Sequence, residues 1–154
     1  MTRQTILSDD RVYRYSLWRE WIGGEGYVMF IGLNPSTADE TLDDPTIRRC
    51  VGFAKAWGFS ALCMANLFAF RATKPKVMKQ ASDPVGKDND KWLRHLCDGA
   101  SLVIAAWGTD GSYLARDRKV CNLLGAMDCL GVTKDGYPRH PLYLRADVER
   151  IAFT

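Results

Sequence analysis

Four short apolar runs constrain this chain more than anything else in it: "YVMFIGL" from Tyr27, "ALCMANL" from Ala61, "SLVIAAWG" from Ser101 and "CLGVT" from Cys129. They read as strands, and "SLVIAAWG" is the continuous apolar run that a strand covered on both faces needs. Segments of helical spacing separate them. In "DDPTIRRCVGFAKAWG", Asp44 suits an N-cap and Pro45 the first helical position. Ile47, Cys50, Val51, Ala54 and Trp57 then recur at helical spacing until Gly58 stops the run. "DNDKWLRHLCDGA" puts Trp92, Leu93, Leu96 and Cys97 on one face, and "RDRKVCNLLGAM" supplies one more helix.

Strand and helix alternating in this way define an α/β fold, because right-handed crossovers place the four strands parallel in one sheet. The expected architecture is a three-layer α/β/α domain with a central four-stranded parallel sheet. Upstream, "RVYRYSLWREW" partly alternates aromatic and aliphatic residues with charge, then passes through "IGGEG" into the first apolar run. This predicts an N-terminal antiparallel strand pair feeding the central strand. The 154 residues suffice for one domain, 1–154, with no solenoid repeat and no low-complexity segment.

Charge excludes little. The chain carries 21 basic and 18 acidic residues, interspersed, for a net charge of +3 and a pI near 8.6, which permits a polyanionic partner without requiring one. Cys50, Cys63, Cys97, Cys121 and Cys129 are odd in number and contain no C-x-x-C pair, so they read as buried thiols in a reducing compartment. No run approaches the roughly 20 residues of a membrane span, and the amino terminus has no long apolar core. The expectation is a soluble cytoplasmic protein that does not engage membranes.

Ligands of such sheets bind beyond the carboxyl ends of the strands. Four polar loops should meet there: "NPSTAD", "NLFAFRATKP", "WGTDG" and "KDGYPRHPLYL". Asn34 brings a carboxamide beside the rigid Pro35, suited to holding a water or a planar ligand edge, or else to an Asx turn. Asn66, ending the second strand, should lie next to it. His140 is braced by Pro138 and Pro141, whereas His95 falls on a helix and reads as surface. Among the crowded acids Asp39, Glu40, Asp43 and Asp44, helix capping accounts for Asp44, and Asp39 is the one retained as a candidate. Arg48, Arg49, Arg71 and Lys74 are the basic residues placed to meet phosphates. Trp107 offers either a stacking surface or a core indole. The stretch from Phe68 to Lys87 is long for a plain connection, which favours a functional or partly helical excursion.

"GLNPS", "NLFAFRATKP", "AAWG" and "RHPLYL", in that order across Tyr27 to Leu144, resemble the uracil-DNA glycosylase superfamily. The likeness is greatest to a branch with an N-P-S-T-A-D first motif. The resemblance implies that Gly32 to Ser36 form that motif, with Asn34 positioning the hydrolytic water, aided by Asp39, and Gly32 and Pro35 beside the base. It implies that Asn66 reads the edge of a flipped base. His140 would stabilise the departing base, while Pro141, Leu142 and Tyr143 press into the minor groove. Ser36, Arg71 and Lys74 would hold the DNA strand, Arg71 with Pro75 resembling an "Arg-Pro" loop of the iron-sulphur members.

The cysteines lack those members' spacing, so neither a cluster nor another metal or cofactor is expected. The family's stacking aromatic after the first motif has no counterpart in "STADETLDDPTIRRC", which leaves Phe68, Phe70 or Trp107 to substitute. The expected activity is a monomeric, monofunctional, metal-independent DNA glycosylase acting on single- or double-stranded DNA. Two alternatives keep the same pocket: an N-glycoside hydrolase of free nucleosides or nucleotides, and a non-catalytic module that binds modified bases or nucleic acid.

Overall fold

The first three apolar runs hold β3 (Tyr27–Gly32), β4 (Ala61–Asn66) and β5 (Leu102–Ala105); the fourth contributes only Cys129 to the two-residue β6 (Asp128–Cys129), and the four strands pair in parallel in the order β4-β3-β5-β6. The computed structural model describes residues 1–154. Three further strands make the sheet mixed and seven-stranded. β1 (Thr2–Leu7) and β2 (Arg14–Glu20) form an antiparallel pair, and β2 lies antiparallel to β4. β7 (Ile151–Ala152) returns antiparallel to β6, giving the order β1-β2-β4-β3-β5-β6-β7.

The continuous apolar character of β3 follows from cover on both faces. Its Val28 and Phe30 pack with Ile47, Cys50, Phe53 and Ala54 of α1 (Pro45–Ala56). Its Met29 and Ile31 point the other way, into a core completed by Leu93 and Leu96 of α3 (Asn89–Gly99) and Val120 of α4 (Arg116–Leu124). The short α2 (Pro75–Lys79) lies within the long excursion after β4, which is therefore partly helical. α1 begins as its sequence predicts: the Asp44 carboxylate accepts from the Ile47 N–H at 2.8 Å, Pro45 occupies the first turn, and Gly58 leaves the helix at φ +84°.

The expected antiparallel pair exists, but one of its strands comes from ahead of residue 11. β1 was not legible because none of its residues is buried and four of the six are polar, the condition of an edge strand. β7 is only two residues long and exposed. No helix is long and apolar enough to cross a membrane.

The connectivity sets the site. The chain leaves β3 toward β4 on one side, whereas β5 lies on the other side and leads on to β6. Between the carboxyl ends of β3 and β5 the loops diverge and a crevice opens.

Candidate functional site

The crevice holds a cavity of about 560 Å³, within the range of small-ligand sites. Gly32, Asn34, Pro35 and Ser36 line it from the end of β3, Asn66 from β4, and Trp107 to Asp110 from the loop after β5. His140, Leu142 and Tyr143 close the far side, and Asp44 to Ile47 bring in the start of α1. Thus Asn34, Asn66 and His140, distant in sequence, share one hollow.

Each of these three side chains is held in one orientation by its protein partners. The half-buried Asn34 donates through Nδ2 to the Ala72 carbonyl at 2.8 Å and to the Pro35 carbonyl at 3.2 Å. The bond to Ala72 ties the loop after β3 to the loop after β4, reinforced by the Ala72 N–H donating to the Pro35 carbonyl at 2.9 Å. With its amino group committed, Asn34 has Oδ1 left as a free acceptor.

Asn66 is oriented the opposite way. Its Oδ1 accepts from Nη2 of Arg14 at 3.3 Å, so its Nδ2, which has no protein acceptor, is the group left for the cavity. Gly32 stands opposite Asn66 in the parallel register. A Cβ on Gly32 would lie 3.0 Å from Asn66 Nδ2, so the missing side chain is what gives the amide its place. Arg14 itself is buried and also donates to the Ala38 carbonyl at 3.0 Å. Burial lowers its pKa to about 10, partly opposed by Asp44, and the guanidinium stays charged at neutral pH.

His140 caps a single 3-10 turn, Pro141–Tyr143. Its Nδ1 accepts from the Leu142 N–H at 3.2 Å, which assigns the proton of the neutral ring to Nε2. Desolvation pushes its pKa down, against a smaller upward pull from Asp44, so the ring is neutral at physiological pH. These three side chains therefore offer one free acceptor, on Asn34, and two donors, on Asn66 and His140.

Trp107 reaches the cavity as a wall. It is 2% exposed, packs edge-on to Phe153, and leaves Gly111 no room for a Cβ, which would sit 2.2 Å from its ring. Of its two sequence readings, the core indole describes it better. The exposed aromatic at the rim is instead Tyr143, 88% accessible, with its ring centroid 6.5 Å from that of His140.

Several expected site residues lie elsewhere. Asp39 is outside the cavity: its Oδ1 accepts from the Thr41 N–H, Thr41 Oγ1 and the Leu42 N–H at 2.8–3.0 Å, which folds the loop and lowers its pKa. A carboxylate so occupied is a turn former. Phe68 is fully buried against Tyr113 and cannot stack on a ligand. Phe70 and Arg71 line a neighbouring hollow with Arg11, and Arg71 donates to the Arg11 carbonyl at 3.3 Å. Lys74 is exposed at the start of α2, and Pro141 is buried beneath the His140 turn; neither lines the cavity. His95 is exposed on α3, as expected.

Two arginines on β2 were missed. Besides Arg14, the fully buried Arg19 donates to Asp43 at 2.9 Å and to the carbonyls of Trp18, Asp39 and Leu42, pinning the loop that leads to α1. The one available signal was their place in a strand whose neighbours are mostly aromatic or aliphatic.

A polar cavity at the switch point of a mixed sheet, walled by amides and a neutral imidazole, defines an α/β protein with a preorganised polar crevice. The chain belongs to the family described as "Protein of unknown function (DUF1643)", whose model matches residues 14–142. That span runs from Arg14 to Leu142 and so takes in every cavity-lining residue except Tyr143. No curated protein and no solved structure matches the chain.

Proposed function

We propose that the cavity receives a uracil or modified base extruded from DNA and hydrolyses its N-glycosidic bond. The chain would then be a DNA glycosylase with the layered layout of the uracil-DNA glycosylase superfamily. The observation that carries this reading is the fixed polarity of three converging side chains: an acceptor on Asn34 and donors on Asn66 and His140.

Cleaving the bond sends its electron pair to the departing base and leaves positive charge on the sugar. Water attacks C1′ while held by Asn34 Oδ1. An amide cannot keep the proton, so the water's proton passes to solvent and Asn34 acts by orientation. The base leaves as an anion whose oxygen accepts from the Nε2–H of His140, a hydrogen bond that strengthens as charge accumulates without the proton being transferred. Asn66 Nδ2 holds a carbonyl on the base edge. Leu142 and Tyr143 stand at the rim where the strand would cross, and extruding the base costs a few kcal/mol, offset by contacts of this kind.

A second reading, hydrolysis of free nucleosides, draws support from the weak basic surface near the rim: Arg11 is offset by Glu40 at 3.0 Å and Asp39 at 3.6 Å. The test is a panel of single- and double-stranded oligonucleotides carrying uracil, hypoxanthine, mismatched thymine or bulky modified cytosines, assayed for alkali-labile sites beside the free nucleosides. Asn34→Ala and His140→Ala should abolish base release while oligonucleotide binding stays near normal. Equal loss of binding and cleavage in both would refute the assigned roles.

A further inference from the structure

We propose that Arg14 is a positioning residue: by holding the Asn66 Oδ1 it locks the carboxamide with Nδ2 toward the cavity, so the site selects bases that offer a carbonyl oxygen over those that offer an amine.

A free asparagine can present either end of its amide, because oxygen and nitrogen are nearly the same size and a half-turn exchanges them. Arg14 removes that freedom. A guanidinium has donors only, so Oδ1 must face it, at 3.3 Å, and Nδ2 is left for the ligand. The other side of the amide is confined as well, since Gly32 approaches Nδ2 so closely that even a methyl group there would stand at 3.0 Å.

The cost of this arrangement argues that it is not mere packing. Arg14 is 2% exposed, makes no ion pair with a carboxylate, and leaves its Nε buried without a partner. An unpaired buried cation costs several kcal/mol, and an apolar residue would fill a strand position more cheaply. The carboxylates lining the same cavity are otherwise engaged: Asp44 caps Ile47 at 2.8 Å, and Asp110 pairs with Lys79 at 2.9 Å. Arg14 lines the cavity itself, and it also acts through the Asn66 amide, whose N–H becomes a stronger donor when its oxygen is so bound. A carbonyl on the base gains from this, whereas an amine would set donor against donor.

This rests on reading the cavity as a base site, and the test separates the two. Calorimetric titration of the wild-type protein with uracil and hypoxanthine, then with cytosine and adenine, measures discrimination without requiring any reaction. The wild type should prefer the two oxo bases. Arg14→Met frees the amide to turn, so discrimination should shrink by about tenfold or more, with amino bases binding better than they do to the wild type. A purely structural role would weaken all four ligands together. Circular dichroism checks folding, and Arg14→Lys, which reaches one acceptor at a time, serves should the methionine variant fail to fold; its discrimination should also fall several-fold. Unchanged discrimination in a folded variant, a wild-type preference for amino bases, or no binding of any base overturns the proposal. Oxo-base selectivity that depends on Arg14, in a protein releasing no base from any oligonucleotide, would refute the glycosylase reading alone.

Discussion

Replacing Asn34 by aspartate changes one nitrogen to oxygen and almost nothing in shape, yet it should unsettle the cavity. Both Nδ2 bonds, to Ala72 at 2.8 Å and Pro35 at 3.2 Å, are lost. At about 1 kcal/mol each, that is about 2 kcal/mol. The ionised carboxylate would in addition face two carbonyl oxygens, a repulsion that raises its folded pKa above the unfolded value of about 3.9. The sign follows from proton uptake: with the folded pKa raised, the deficit is least below pH 4, where a protonated carboxyl can still donate, and grows as pH rises through the folded pKa. Asn34→Asp should therefore melt about 4–8 °C below the wild type at pH 7, given about 2–4 °C per kcal/mol for a chain of this size. The gap should narrow at pH 4. Differential scanning fluorimetry of both proteins across that range reads the difference directly. A variant as stable as the wild type at pH 7, or a gap that widens in acid, would show that Asn34 does not tether the two loops.

His140 titrates in the opposite sense. Its folded pKa lies below the ordinary 6.5, so its stabilising contribution is full above pH 6.5 and is lost as pH falls from there toward the lowered value. His140→Asn keeps an acceptor and removes the titration, so the melting temperature of that variant should fall less than the wild type's between pH 7 and pH 5. Arg19→Met strands Asp43 and three carbonyls around a vanished guanidinium and should cost about 3–5 kcal/mol, read as a lower urea midpoint. Tyr143→Ala should leave the melting temperature unchanged, because the ring is 88% exposed, while weakening oligonucleotide binding by the ~1–3 kcal/mol of a stacked base.

The parallel strands and their helices were legible because doubly covered strands carry apolar residues on both faces, and β3 divides Val28 and Phe30 from Met29 and Ile31 in that way. Asn34, Asn66 and His140 could be read because strand ends and flanking prolines mark where side chains emerge. Arg14 and Arg19 could not. A basic residue amid aromatic ones reads as a solvent-facing position, whereas β2 lies between β1 and β4 and both guanidinia are buried. Asp39 misled for a related reason: a carboxylate that folds its own turn and one that serves a ligand look alike in sequence. Phe68 and Phe70 stand two residues apart, and sequence did not tell that one is buried and the other borders a different hollow.

β1 and β2 stand outside the parallel core, and a fragment beginning at Tyr27 would keep every parallel strand. Such a fragment would nonetheless lose a lining residue of the cavity and the supports beside it, since Arg14 and Arg19 reach across to Asn66, Ala38 and the bend at residues 39–43. The hairpin at the sheet's margin thus works as scaffolding for a pocket two strands away, and damage at that margin is felt first where a ligand would sit.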